Sequence, residues 1–179
     1  MNLPDLPIVY NKKVGELRQN NIAKVLTQWG YEVRTAAIEA NEADIWVRKN
    51  RRIVALLEVL NWRKSDYLTK KRAQSIISNL AIGDCHKFLI CSFPENIENE
   101  RIRELIEKKN IQIIYLGFQT QPPDYYEFFV QNEIVDQQGM KLDSPELMQQ
   151  LRERLKPMKD LRPIGKRISL KKFRRQVRY

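Results

Sequence analysis

The segment Ile53-Val54-Ala55-Leu56-Leu57-Glu58-Val59-Leu60 constrains this chain more than any other. An unbroken apolar run of this length, preceded by a charged turn, reads as a strand. The acid that interrupts it is unusual, because an unpaired buried carboxylate is costly. The preceding run, Ala43-Asp44-Ile45-Trp46-Val47, reads as a neighbouring strand and carries an acid of its own. Acids embedded in adjacent strands commonly serve to hold a divalent cation, whose hard charge prefers oxygen ligands.

The elements around these strands follow from the same kind of reading. Pro4 and Pro7 oppose a helix, so residues 1–12 read as an extended arm. Leu17, Ile22, Val25, Leu26 and Trp29 recur at helical spacing and predict a helix from Lys13 to Trp29, which Gly30 ends. Tyr31 to Ile38 reads as a strand. The acid-bearing strands at 43–49 and 52–61 are joined by a tight connection at Arg51-Arg52 with Asn50, which predicts a hairpin. A second helix is expected over Asp66 to Leu80, with Tyr67, Ala73, Ile76, Ile77 and Leu80 facing inward. His86 to Phe93 is an apolar strand, 97–109 a helix, and Ile111 to Gly117 a fully apolar strand of the kind buried on both faces. Beyond a polar break, Tyr125 to Val130 reads as an edge strand. Asp143-Ser144-Pro145-Glu146 starts a helix that runs to Leu155. The organisation expected is an arm (1–12), a core (13–118), an extension with a helix (119–160) and a basic tail (161–179).

At 179 residues the chain can bury one full core, and 42% hydrophobic with 30% charged residues is an ordinary globular balance. No apolar run approaches a membrane span. The start, Met1-Asn2-Leu3-Pro4-Asp5, has neither the basic nor the apolar region of a secretory signal, so an intracellular location, cytoplasmic or nucleoid-associated, is the expectation. Cys85 and Cys91 fall in or beside one strand, and His86 is the single histidine, which argues against a disulfide framework or a zinc site.

The net charge of +10 is unevenly spread. Residues 161–179 hold Arg162, Lys166, Arg167, Lys171, Lys172, Arg174, Arg175 and Arg178 and no acid, leaving +2 for the rest. Such a tail attracts polyanions, nucleic acid first and anionic membrane second; a solvated terminus or an acidic protein partner are the plainer alternatives.

Phosphodiester hydrolysis uses a metal ion to bind the scissile phosphate and lower the pKa of a water. A nearby cation stabilises the developing charge. Asp44 and Glu58, with the basic surface Lys70-Lys71-Arg72, supply most of these parts. The α-β-β-β-α-β order, with Asp44 on one strand and Glu58-Val59-Leu60-Asn61-Trp62 ending the next, resembles the PD-(D/E)XK nuclease superfamily. It is nearest to the archaeal Holliday-junction-resolvase and Mrr-like branches. Val14-Gly15-Glu16-Leu17-Arg18-Gln19, followed by Gly30-Tyr31-Glu32-Val33, is similar to the opening helix of that group. The resemblance covers residues 13–118. It implies an α/β, restriction-endonuclease-like fold with a mixed central sheet flanked by helices, extended here by a C-terminal helix and the basic tail.

It further implies a Mg2+-dependent (or Mn2+-dependent) endonuclease acting on DNA, including branched or otherwise irregular structures. Asp44 and Glu58 would be metal ligands, Glu16 a further acid, and Gln74 a glutamine beside the metal. Two positions depart from the pattern. Leu60 stands where the group has its lysine, and Gln19 where many members have the first-helix acid. Arg63, Lys64, Lys70 or Lys71 could substitute for the lysine, and Arg63, Lys64, Lys70, Lys71, Lys166, Arg167, Lys171, Lys172, Arg174 and Arg175 would contact nucleic acid. The alternative is an inactive nuclease-fold protein that binds nucleic acid or positions a partner nuclease. No membrane partner is expected, and a homodimer would suit a symmetric junction.

Overall fold

A computed structural model describes residues 6–36, 41–118 and 145–164. The protein is α/β, with a five-stranded mixed sheet between two layers of helices, an arrangement of the restriction-endonuclease-like kind. In chain order the elements are α1 (Leu6–Gln28), β1 (Glu32–Thr35), β2 (Ile45–Lys49), β3 (Arg52–Leu60), α2 (Lys70–Leu80), β4 (His86–Cys91), α3 (Glu100–Glu107), β5 (Ile111–Tyr115) and α4 (Pro145–Arg154). The strands lie side by side in sequence order. β1–β2 and β2–β3 are antiparallel; β3–β4 and β4–β5 are parallel.

Alternation along each strand splits the apolar residues between two cores. Ile45, Val47, Ala55, Leu57, Phe88 and Ile90 pack under α1 and α4. Trp46, Leu56, Leu60, Leu89 and Cys91 pack under α2 and α3. Burial on both faces explains the near-continuous apolar runs of β3 and β4. Val54 is an extra residue in the β2–β3 ladder, where the register slips between Val47 and Arg48. β5 is the last strand among the described residues, and its Gln112 is exposed. The edge strand expected at 125–130 and most of the basic tail lie outside the described residues.

Local chemistry sets the boundaries. Gly30 takes a left-handed conformation (φ 92°) after α1, where Tyr31 N–H donates to Leu26 O at 3.2 Å and Gly30 N–H to Thr27 O at 3.0 Å. That pairing is a Schellman cap. Asn50 and Arg51, at φ 52° and 63°, make the two-residue hairpin turn whose twist suits antiparallel strands.

Two sequence expectations fail here. The arm is helical from Leu6, and Pro7 is the second residue of α1, where a backbone N–H would have no intrahelical acceptor. The second helix starts at Lys70 rather than Asp66, because the Thr69 hydroxyl accepts from Arg72 N–H at 3.2 Å and caps it. Tyr67 therefore lies in the β3–α2 loop and is 72% exposed, not inward.

The chain after α4 closes the first core. Leu155, Met158 and Leu161 are buried there. Tyr31 Oη donates to Met158 O at 2.7 Å and accepts from Leu161 N–H at 2.8 Å. Among the described residues, no helix is long and apolar enough to cross a membrane.

Candidate metal centre

β2 and β3 bring the two acids together. Asp44 immediately precedes β2, and Ile45 pairs with Leu57, so Asp44 falls beside Glu58. Glu58 alternates with Leu56 and Leu60 on the α2 face of the sheet. Asp44 is 8% exposed and Glu58 2%. Asp44 Oδ2 accepts from Val59 N–H at 2.8 Å, and Glu58 Oε1 accepts from Asn79 Nδ2 at 3.0 Å. The two carboxyls are neighbours across the β2–β3 ladder, so each charge opposes the other.

Burial, then the Asp44 charge, push the Glu58 carboxyl up to about 9, against the opposing pull of the Asn79 amide and the Arg72 charge. Burial also raises Asp44, while the Val59 amide, the adjoining Glu58 carboxyl and Arg72 hold it down. Glu58 therefore keeps its proton well above the ordinary carboxylate range. Among the described residues no Lys or Arg forms an ion pair with either acid. No third His, Cys, Asp or Glu among them joins the pair to make a larger cluster. Two hard carboxylates lacking a paired cation form a donor set that suits Mg2+ or Mn2+, since magnesium takes only one or two protein carboxylates and keeps several waters.

The other residues singled out by the sequence fall into groups. Glu16 is half-buried on α1, which packs on the opposite face from α2; no described interaction joins it to the pair. Gln74 is exposed on α2, whose buried side is Ala73, Ile76 and Leu80. The amide that reaches Glu58 belongs to Asn79, which sequence reasoning missed although its place beside Ile76 and Leu80 at helical spacing points inward. Leu60 is 3% exposed within the apolar core. Gln19 is buried, and so is Arg18, whose guanidinium donates to Phe118 O at 3.0 Å and lies 5.1 Å from the Phe118 ring. Burial lowers Arg18 to about 9.

Arg63, Lys64, Lys70 and Lys71 are exposed around the loop that follows β3. Arg63 pairs with Asp66 at 3.6 Å, and Lys64 Nζ sits 5.4 Å from the Phe93 ring. Arg72, also exposed, is the cation whose field reaches both acids. Lys166, Arg167, Lys171, Lys172, Arg174 and Arg175 lie outside the described residues.

A cavity of about 360 Å³ opens where β4 and β5 begin, lined by His86, Lys87, Lys109 and Ile164 among others. It is at the other end of the parallel strands from Glu58, which pairs with Leu89 late in β4.

No protein-family model matches the chain, and no curated protein does. Among solved structures, the crystal structure of a protein of unknown function, AF1548, aligns at a TM-score of 0.43 and 12% sequence identity, over 65% of this chain and 65% of that one. A likeness that weak carries no functional argument.

Proposed function

We propose that this chain is a divergent metal-dependent endonuclease acting on DNA, including branched or otherwise irregular structures. The observation that carries the reading is the buried, adjacent Asp44–Glu58 pair, which lacks a paired cation among the described residues. Asp44 and Glu58 would hold Mg2+ or Mn2+. Once bound, the ion would polarise the scissile phosphate and make a water more acidic. Val59 N–H orients Asp44, and Asn79 orients Glu58. Arg72 supplies positive charge over both, and Lys70 and Lys71 offer contacts to phosphates outside the reacting one. The basic tail would add sequence-independent affinity.

A second reading has its own support. Leu60 buries carbon where the related nucleases carry a lysine, and no described cation bonds to either acid. This favours a nuclease-fold protein without catalysis, which binds nucleic acid or positions a partner nuclease, itself as a homodimer or beside an active subunit.

A cleavage assay with Mg2+ or Mn2+ on single-stranded, duplex and four-way-junction DNA separates the two. The native chain is compared with Asp44→Ala and Glu58→Ala. Metal-dependent cleavage lost in both variants supports the enzyme. Binding without cleavage on every substrate supports the second reading, and neither binding nor cleavage refutes both.

A further inference from the structure

We propose that the β3–α2 loop is a preformed platform for an unpaired nucleotide, with the Tyr67 ring stacking on its base and the surrounding cations holding its phosphates. The inference rests on the nucleic-acid reading above and narrows its substrate to strands that contain unstacked bases.

A single exposed aromatic is ordinary on a protein surface. The way this one is mounted is not. Asn96 is fully buried, and its Nδ2 donates to both Arg63 O and Asp66 O at 2.8 Å. Asn96 O accepts from Leu68 N–H at 2.8 Å, and Asn96 Oδ1 accepts from Phe93 N–H at 2.9 Å. Asp66 Oδ2 closes the turn by accepting from Arg63 N–H at 2.9 Å. The backbone on each side of Tyr67 is therefore tied to one buried residue. Leu68, 2% exposed, fills the core beneath. With Leu68 turned inward, Tyr67 points out, held by a fixed backbone and free only about its own side-chain bonds. A ring mounted this way loses little conformational freedom when it meets a flat partner.

The charge around it selects the partner. Arg63 and Lys64 precede Tyr67, and Lys70, Lys71 and Arg72 follow it, all exposed. The one acid within 61–73 is Asp66, already engaged by Arg63. Lys64, Lys70, Lys71 and Arg72 make no ion pair among the described residues. An exposed ring surrounded by cations free of ion pairs is the combination that binds single strands, because every base has a face to stack and every linkage a charge to neutralise. Duplex bases are stacked on one another and offer no such face. The loop follows directly on β3, the strand that carries Glu58.

The test measures binding, with metal chelated so that cleavage cannot intervene. Fluorescence anisotropy follows short single-stranded oligomers, deoxyribo and ribo in parallel, and a duplex of the same length. Tyr67→Ala should weaken single-strand binding roughly 5- to 150-fold and duplex binding less than about twofold. Tyr67→Phe, which keeps the ring face, should bind as the native chain does. Lys70→Ala and Lys71→Ala should lower the salt dependence of single-strand binding by about 0.7 in slope for each phosphate no longer neutralised, whereas Tyr67→Ala should leave that slope alone. Unchanged single-strand affinity in Tyr67→Ala overturns the proposal, as does an equal loss on both forms or a loss in Tyr67→Phe that matches Tyr67→Ala. These results leave the nuclease reading standing. A native chain that binds no nucleic acid overturns both.

Discussion

Glu58→Gln isolates the buried acid pair with little disturbance of shape. The replacement keeps the side-chain length and the oxygen that accepts from Asn79. In the native chain, burial and the adjacent Asp44 push Glu58 from 4.5 up to about 9. Between those values the folded chain holds a proton that the unfolded chain has released. The native state binds more protons, so stability falls as pH rises through this window and is greatest below it. Each pH unit is worth ~1.4 kcal/mol, which gives a loss on the order of 3 kcal/mol by neutral pH and on the order of 6 kcal/mol by the upper end. The glutamine side chain cannot titrate. The variant should match the native chain in stability at low pH and exceed it by on the order of 3 kcal/mol near neutrality. Urea denaturation followed by tryptophan fluorescence across the window reads the difference. Parallel profiles for the two chains would refute the assignment of the proton to Glu58. Millimolar Mg2+ adds a second readout: it should raise the native melting temperature at alkaline pH, where the pair most needs counter-charge, and leave Glu58→Gln nearly unmoved.

Three other perturbations test separate parts of the molecule. Asn96→Ala strips the buried bonds to Arg63 O, Asp66 O and Phe93 N–H, and should cost about 3 kcal/mol in urea denaturation while hastening amide exchange at Leu68; an intact loop would show that Asn96 is not its brace. Burial pushes the Cys85 and Cys91 thiols up to about 11 and about 12, so both should react slowly with a disulfide reagent in the folded protein at mildly alkaline pH and fully once unfolded. Deleting residues 165–179 removes seven Lys and Arg and should flatten the salt dependence of nucleic-acid binding; an unchanged slope would rule out the tail as the main source of phosphate binding.

The sheet was legible because apolar runs announce buried strands. Phe88-Leu89-Ile90-Cys91 and the run from Ile53 to Leu57 are apolar on both faces, and both strands are central with helices on each side. The tight connection at Asn50 and Arg51 was readable for the same local reason: two residues between strands leave room for little but a hairpin turn. The acid pair was legible as chemistry at odds with its apolar neighbours. Helix starts were harder. Tyr67 fits the apolar spacing of α2, and only the Thr69 cap, a single hydroxyl against a single N–H, puts it outside the helix. Pro7 looked like a breaker, yet at the second position of α1 it removes a donor that had no acceptor there. Asn96 could not have been found. Its partners lie about thirty residues away, and nothing local in Pro94-Glu95-Asn96-Ile97 marks it as the brace of another loop.

The pair itself argues about which functional reading to prefer. Leu56 and Leu60, on either side of Glu58 along the same face, are carbon in a closed core, and a leucine in place of Glu58 would continue that stripe. The acids instead make the chain less stable at neutral pH, through the raised Glu58 carboxyl, while Val59 N–H and the Asn79 amide hold them in a fixed orientation. Strain of this kind, tolerated and braced, is what functional sites look like from the standpoint of stability. Leu60 places carbon beside the pair, and among the described residues no Lys or Arg ion-pairs with either acid, which leaves counter-charge to a proton, to Arg72 at longer range, or to a bound cation. A protein that had lost every use for metal would gain stability by losing one acid. The braced pair therefore weighs toward the proposed metal binding, whereas the carbon of Leu60 beside it weighs against rapid cleavage, and it is the binding of Mg2+, measured apart from turnover, on which the two readings first divide.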